Sequence, residues 1–387
     1  MRADGGQLCS DGSRFLCTEL RGDLGWHKLI WNFEKVGWQA KSICMFCEAK
    51  SDGHPLYTET VPDADWTQTM HSDTWAWAEK VLPANNICPL LALPGFCIET
   101  LRLCSMHNMN LGLLQICNGS ALISLVTAGL YGNPEESLAL NLRRAFRDFE
   151  VWRKARKLQC TQGVWTPGLV VKKNGNICMT HKAFNGRVIV QYMAEACDVV
   201  ISKQLPGNGR TIGVWLSQQV ALGHRTWPYP ADPEFGLASV CLRSVARWFN
   251  LTERAGRYLR AHEAAEMMTA GIRFCQSHLL LTTLSMRHLQ QNRHVPAQGP
   301  PLLKWILKPK YHYWSHQLLT AVKQRENTRH TNCFTDEDAM RWLKNISRNT
   351  SNTGFERRVL AASRLRLKLT CGKARVQNAT AAKRSKR

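Results

Sequence analysis

The sequence Lys308-Pro309-Lys310-Tyr311-His312 is followed, later in the chain, by Phe334-Thr335-Asp336-Glu337-Asp338-Ala339-Met340-Arg341. A basic turn therefore precedes three consecutive carboxylates at a predicted helix start. Adjacent carboxylates repel one another unless a helix N-terminus, a metal ion or an arginine lies close to them. Thr335 as the helix N-cap, with acids in the first turn, explains the cluster without any ligand. A metal-binding carboxylate is the alternative, and the local sequence leaves both open.

The composition is that of a folded protein. The 387 residues are 44% hydrophobic and include 14 Trp, which is enough for one large core or two modest ones. The 15 Cys are an odd number, and most stand beside apolar residues, as buried reduced thiols do. The first eleven residues are polar and glycine-containing, unlike a signal peptide. We therefore expect a nuclear or cytoplasmic, non-secreted protein.

Charge is unevenly distributed along the chain. The formal net charge is +22, yet residues 1–100 hold 8 Lys and Arg against 13 Asp and Glu. Residues 341–387 hold 14 basic residues and one acidic residue. A basic C-terminal region on a near-neutral body suggests a polyanionic partner, and nucleic acid is the commonest one.

One uncharged segment has the length of a membrane span. It covers residues 111–131, but it contains Gln115, Asn118 and several small polar residues. This moderate polarity favours a buried core helix, so no membrane association is expected.

Three further motifs precede the basic turn, in a fixed order. They are Arg21-Gly22-Asp23, Ile43-Cys44-Met45-Phe46-Cys47, and Cys104-Ser105-Met106-His107-Asn108-Met109-Asn110-Leu111-Gly112. Together with the basic turn and the late acids, this order resembles transposases of the CACTA (En/Spm) and KDZ type. That family shows a Gly-Asp segment, Cys-x-x-Cys, Asp-x-Met-His with Leu-Gly shortly after, a helical insert, Lys-Pro-Lys-x-His and a late acid. The resemblance extends from about residue 20 to residue 345.

The resemblance implies a fold. It predicts an α+β, predominantly helical protein with an incomplete ribonuclease-H-like mixed sheet and a large all-α insertion. Residues 10–112 and 302–370 would form the core and residues 113–301 the helical insertion. The Gly- and Pro-punctuated stretch 205–236 is predicted to be loop-like. Residues 371–387 would be a basic disordered tail.

The resemblance also implies a nuclease site that this chain alters. Asp23 and Glu337 are the candidate catalytic carboxylates, and Cys104 replaces the expected middle Asp. Two-metal nucleases bind Mg²⁺ or Mn²⁺ through carboxylates, and a thiol is a poor ligand for these ions. The same acids have structural explanations, because Asp23 can cap a helix and Glu337 can be a first-turn acid. His107 is either a functional side chain or a core histidine.

A zinc site is the second chemical candidate. Cys44 and Cys47 have the spacing of a zinc knuckle, and His54 is the candidate third ligand, with His27 or His71 as a fourth. Two packed thiols in a turn are the alternative interpretation. The cationic and imidazole side chains around Pro309 either contact phosphate or neutralise the late acids; they are Lys308, Lys310, His312 and His316.

Nucleic-acid binding is expected from a basic helix face carrying Arg143, Arg144 and Arg147, and from Lys308 and Lys310. The sequence thus predicts a transposase-derived, catalytically inactive protein that binds DNA or RNA non-specifically. An active metal-dependent nuclease or transposase is one alternative. A protein-interaction scaffold without nucleic-acid binding is the other.

Overall fold

The computed structural model describes residues 16–84, 88–203, 212–223, 232–291, 302–351, 353–363 and 365, excluding the side chains at 291 and 335–340. The described chain is predominantly helical and carries one two-stranded parallel sheet, which agrees with the α+β prediction in its coarse form. The predicted tail at 371–387 lies outside the described residues.

The sheet pairs two three-residue strands, β1 (Leu20–Gly22) and β2 (Leu101–Leu103), with Arg21 opposite Arg102. The helices are α1 (Leu24–Trp31), α2 (Thr74–Val81), α3 (Leu114–Thr127), α4 (Leu138–Ala155), α5 (Pro167–Val170), α6 (Ala183–Ser202), α7 (Val214–Ala221), α8 (Pro233–Arg254), α9 (Ala261–Gln291), α10 (Lys310–Lys323) and α11 (Phe334–Arg348). A π-helical segment, Met106–Leu113, leads directly into α3.

The chain divides into two compact units. The described residues up to Asn332 form the first unit, which holds both strands and helices α1 to α10, and α11 belongs to the second. The predicted boundaries at residues 112 and 301 both fall inside the first unit.

The core of the first unit is built on α3, α6, α8 and α9, which pack in sequence against one another. Almost every residue of α3 is buried, because this helix carries no charge. By length and composition, Met106–Thr127 is the one stretch in the described ranges that could cross a membrane, with a mean hydropathy of 1.4. As 89% of that window is buried within the protein, its apolar character is accounted for by the core.

Close packing around α3 makes a testable prediction at Gly119. A Cβ at this position would lie 2.8 Å from the backbone nitrogen of Met179, which cannot rotate away. We expect Gly119→Ala to lower the free energy of unfolding by about 1–3 kcal/mol, as overpacked cores do. Gly236→Ala is the matched control, since its Cβ would meet open space on α8. It should stabilise the protein by roughly 0.5–1 kcal/mol, because alanine favours a helix over glycine. Urea unfolding of both variants measures the difference, and equal midpoints would contradict the packing.

The predicted loop at 205–236 is corrected by the structure. Helix α7 forms at Val214–Ala221, and α8 begins at Pro233. Gly213 has a left-handed φ of 78° just before α7, and Asp232 caps α8 by accepting from the Glu234 amide at 2.8 Å. A glycine and a proline that appeared to break structure thus mark two helix starts. Residues 204–211 and 224–231 lie outside the described residues.

The start of α7 is capped by a side chain from another helix. The Asp148 carboxylate of α4 accepts hydrogen bonds from the Gly213 amide at 2.7 Å and the Val214 amide at 3.1 Å. The Tyr192 hydroxyl donates to the same carboxylate at 2.8 Å. Because this cap is supplied from a distant part of the chain, the local sequence of α7 does not reveal it.

Candidate metal centre

The Cys44–Cys47 turn is held in a small extended loop. The Ile43 amide donates to the Ala49 carbonyl at 3.1 Å, and Ser42 pairs with Lys50 in an antiparallel bridge. Within the turn, the Phe46 amide donates to Cys44 Sγ at 3.3 Å. This N–H···S bond folds the turn so that both sulfur atoms lie on the same side of it.

Two histidines of α10 face this turn. His312 and His316 are four residues apart on the helix, a spacing that puts both side chains on one face. Cys44, Cys47, His312 and His316 are all buried, and their four donor atoms lie within 4.8 Å of one another. Residues separated by more than 260 positions in the chain are therefore brought into one cluster.

The distances match a tetrahedral site. Cys44 Sγ lies 3.3 Å from His316 Nε2, and Cys47 Sγ lies 3.3 Å from His312 Nε2 and 3.4 Å from His316 Nε2. The two Nε2 atoms are 3.0 Å apart. Zinc bonds of about 2.3 Å to sulfur and about 2.05 Å to nitrogen give S···N edges of about 3.6 Å and N···N edges of about 3.3 Å in a tetrahedron. The cluster is within a few tenths of an ångström of that geometry.

Aromatic side chains enclose the cluster. The Trp66 ring lies 4.5 Å from His312 and 4.7 Å from His316, and Phe46 covers His316 at 5.3 Å, measured between ring centroids. The Trp77 indole nitrogen also donates to the Met45 carbonyl at 2.8 Å, which fixes the turn from behind. These contacts exclude water from the four donor atoms.

Burial shapes the protonation of the cluster. It raises the pKa of the Cys47 thiol, with Cys44 acting in the same direction and His316 opposing it. It also lowers the pKa of His312 well below the usual range, and neighbouring His316 adds to this effect. The neutral imidazole of His312 is ready to bind a metal, whereas a buried thiolate needs a positive charge beside it.

The donor set can hold a metal ion such as zinc. Two sulfur and two nitrogen donors in tetrahedral arrangement are typical of zinc and exclude the octahedral oxygen sites of Mg²⁺. All four positions are filled by protein ligands, which is the pattern of a structural rather than a catalytic site.

The structure corrects the predicted remaining ligands. His54 is exposed and belongs to a separate surface group, 3.6 Å from Asp65 and within 4.0 Å of Glu59. His27 is buried but bonds the Arg102 carbonyl at 3.1 Å, and burial lowers its pKa to about 4. His71 does not belong to the cluster either. The two histidines that complete the cluster, His312 and His316, follow Pro309 at helical spacing, where the sequence favours either a phosphate contact or neutralisation of the late acids.

Asp23 and Cys104 lie at the same end of the sheet, where both parallel strands finish. Each directly follows a strand, and the Cys104 amide donates to the Gly22 carbonyl at 2.9 Å. Asp23 caps α1, because its Oδ1 accepts from the Trp26 amide at 2.6 Å. Its other oxygen, Oδ2, lies 3.9 Å from His107 Nε2. The motifs around residues 23 and 104 therefore meet, as the parallel strand pair requires.

A cavity of about 390 Å³ opens beside Asp23 and joins these motifs to the basic turn. His107, Lys308 and Lys310 also line it. Lys310 reaches across Gly112, and its Nζ donates to the His107 and Leu111 carbonyls at 2.9 and 3.2 Å. Burial and then the Lys308 ammonium lower the pKa of Lys310, while Asp23 acts in the opposite sense. Among the cavity's described lining residues, Asp23 is the one carboxylate.

Glu337 lies on α11 in the second unit, and its side chain is outside the described residues. Its role as a catalytic carboxylate therefore remains a prediction.

The predicted basic face of α4 divides into two groups. Arg143 and Arg147 are exposed and one helical turn apart. Arg144 is committed to an ion pair with Glu136 and lies 5.7 Å from the Trp215 ring centroid. Arg143 and Arg147 are therefore placed to meet an external anion, whereas Arg144 is not.

Comparisons with protein-family models, with curated proteins and with solved structures found no match to this chain.

Proposed function

We propose that this protein is a transposase-derived, zinc-stabilised protein that has lost nuclease activity and binds nucleic acid non-specifically. The observation that carries the proposal is the convergence of the motifs. The Gly22-Asp23 and Cys104 segments end adjacent parallel strands, and Lys308 and Lys310 line the same cavity. The Cys-x-x-Cys turn and His312 share one metal cluster. Apart from the late acids on α11, the motifs that suggested a ribonuclease-H-like ancestor lie together in two groups, the cavity and the Cys/His cluster, and this grouping supports the proposal.

The loss of nuclease activity follows from the side chains at the strand ends. A two-metal centre needs several carboxylates converging on two ions about 4 Å apart. Cys104 offers a soft thiol where a hard oxygen is required, and Asp23 is partly engaged as a helix cap. A site missing one hard ligand binds Mg²⁺ weakly and positions it poorly.

We expect no cleavage of plasmid DNA by the purified protein with Mg²⁺ or Mn²⁺. The assay compares the wild type with Cys104→Asp, which restores the carboxylate, and with Cys104→Ser, which restores only an oxygen. Cleavage by the wild type that Glu337→Gln abolishes would establish the active nuclease instead.

Non-specific binding is proposed to use the exposed arginines of α4. Each phosphate neutralised by Lys or Arg releases counterions, so the logarithm of the affinity falls with the logarithm of salt by about 0.9 per contact on duplex DNA. We expect duplex binding that weakens by at least about tenfold between roughly 50 mM and 200 mM salt. Replacing both Arg143 and Arg147 with Gln should reduce the slope by about 1.8.

Arg144→Gln is the matched control on the same helix. It removes an ion pair within the protein, so it should alter the thermal midpoint more than the salt slope. Filter binding at the two salt concentrations measures all three proteins. Absence of any DNA or RNA binding would remove this function and favour the scaffold interpretation.

A further inference from the structure

The cavity beside Asp23 combines apolar walls with a few hydrogen-bond donors. Asn108 is 4% exposed, and its Nδ2 atom makes no hydrogen bond with the described residues. Leaving a buried amide donor unpaired is unfavourable, and a rotation of the Asn108 side chain towards the cavity would let an acceptor from outside the chain satisfy it. Lys308 and Lys310 line the same space, and the Lys310 ammonium keeps one N–H beyond its two bonds to backbone carbonyls.

The charge of the cavity is unbalanced. Lys308 and Lys310 contribute two positive charges, and Asp23 contributes the one negative charge among the described lining residues. Asp23 already caps α1 and lies near His107. The remaining unit of positive charge matches the single negative charge of a phosphodiester group.

An aromatic surface adjoins these donors. Trp38 lines the cavity and is 50% exposed, although most tryptophans of this chain that the structure describes are buried. Lys28 lies over its ring, with Nζ 5.8 Å from the centroid. An exposed aromatic ring beside cationic groups is the arrangement on which unpaired bases stack while their phosphates are neutralised.

The volume agrees with such a ligand. About 390 Å³ lies in the range of small-molecule sites and accommodates a single nucleotide unit. A duplex presents its bases already stacked and paired, so it cannot place one on Trp38. The cavity therefore selects unpaired nucleotides.

We infer that this cavity binds single-stranded nucleic acid, with a base stacked on Trp38 and its phosphodiester held by Lys308, Lys310 and Asn108. This inference rests on the proposed nucleic-acid binding and names a site and strand form for it. The exposed arginines of α4 lie outside this cavity and are not needed for the contact.

The test measures fluorescence anisotropy of labelled oligothymidylate and oligouridylate with the full chain. Trp38→Ala is expected to weaken binding by about 5- to 150-fold, the range found for single stacked bases, and Trp38→Phe should retain most of the affinity. Lys308→Gln should lower the salt slope by about 0.7, the single-strand value for one contact. Comparing the two oligomers decides whether the 2′-hydroxyl matters.

Matched controls are available at exposed positions outside the cavity. Trp75 is 63% exposed on α2 and outside the cavity, so Trp75→Ala should leave affinity unchanged. Lys173→Gln removes an exposed lysine and should lower the slope less than Lys308→Gln. Circular dichroism confirms that each variant is folded. A photo-crosslinkable oligothymidylate supplies independent evidence, because its adduct should map to Trp38.

The outcomes separate the two proposals. If the wild type binds duplex DNA and Trp38→Ala binds oligothymidylate as tightly as the wild type does, the cavity inference fails while the proposed function stands. Crosslinks that map only to α4 would have the same meaning. If the wild type binds no nucleic acid in either form, both fail.

Discussion

Cys47→Ala is expected to release the metal and unfold the region around the Cys44–Cys47 turn. Structural zinc contributes about 10–16 kcal/mol of binding free energy in small zinc-dependent folds, whereas a whole domain is stable by about 5–15 kcal/mol. Losing one ligand leaves a strained, partly coordinated site, so most of that contribution disappears. None of the four ligands lies on α3, α6, α8 or α9, so we expect these helices to persist at room temperature while the part of the shared core around the turn loses its packing.

The measurement has two parts. Metal analysis of the purified chain should give one zinc per wild-type protein and much less for Cys47→Ala and His316→Ala. Hydrogen exchange should then show lost protection at the amides of Ile43 and Phe46, which are bonded inside the turn region. Treatment of the wild type with a strong chelator should reproduce this pattern.

His54→Ala is the decisive control for the ligand set. The local sequence favours His54 as a ligand, since it follows Cys47 by seven residues, but the structure puts it on the surface. We expect His54→Ala to keep its zinc and its thermal midpoint. Loss of zinc from this variant, or full zinc in Cys47→Ala, would disprove the four-ligand centre.

The metal centre shows what the sequence could and could not supply. The Cys-x-x-Cys turn was recognisable because both ligands lie in one short loop. The other two ligands are separated from it by more than 260 residues, and only folding brings α10 against the turn. The histidine pair at helical spacing was a readable signal, but proximity along the chain favoured His54. When the ligands of one site come from elements far apart in the chain, the spacing of residues in the local sequence does not identify them.

The same distinction applies to the fold. The buried helix α3 was predictable from local pattern, because residues 111–131 carry no charge. Helix α7 was missed because its cap comes from Asp148 on another helix.

The second large effect is expected at a buried ion pair between α8 and the segment before α10. Lys304 Nζ lies 2.6 and 2.8 Å from the two carboxylate oxygens of Glu234. The Trp305 indole nitrogen donates to the same carboxylate at 2.9 Å, and the Ser124 hydroxyl donates to it as well. Lys304→Met removes the cation and leaves the carboxylate buried, which typically costs about 3–5 kcal/mol.

The double variant Glu234→Leu with Lys304→Met should recover much of this loss, because it removes both charges and leaves apolar side chains of similar size. Lys173→Met makes the same substitution at an exposed position, where we expect a change of about 0.5 kcal/mol or less. Thermal or urea unfolding of the wild type, Glu234→Leu, Lys304→Met and the double variant gives the coupling energy between the two residues. Independent, additive losses at the two positions would show that the ion pair is not the source.

The pH dependence of the unfolding free energy tests this ion pair, because the pKa of Glu234 should be lowered in the wild type and raised in Lys304→Met. Burial alone would raise the pKa of Glu234, but the Lys304 ammonium and the hydrogen bonds to the carboxylate lower it below its ordinary value of 4.5. A lowered folded-state pKa contributes stability that is present above pH 4.5 and lost as pH falls through the folded-state pKa. Without the Lys304 ammonium, burial should raise the folded-state pKa above 4.5. As the pH falls through that raised pKa, the buried carboxylate of Lys304→Met becomes protonated and the variant becomes more stable relative to the wild type. The difference in unfolding free energy between the two proteins should therefore shrink from pH 7 towards pH 4. A constant difference across this range would mean that Glu234 is not a buried charge in the variant.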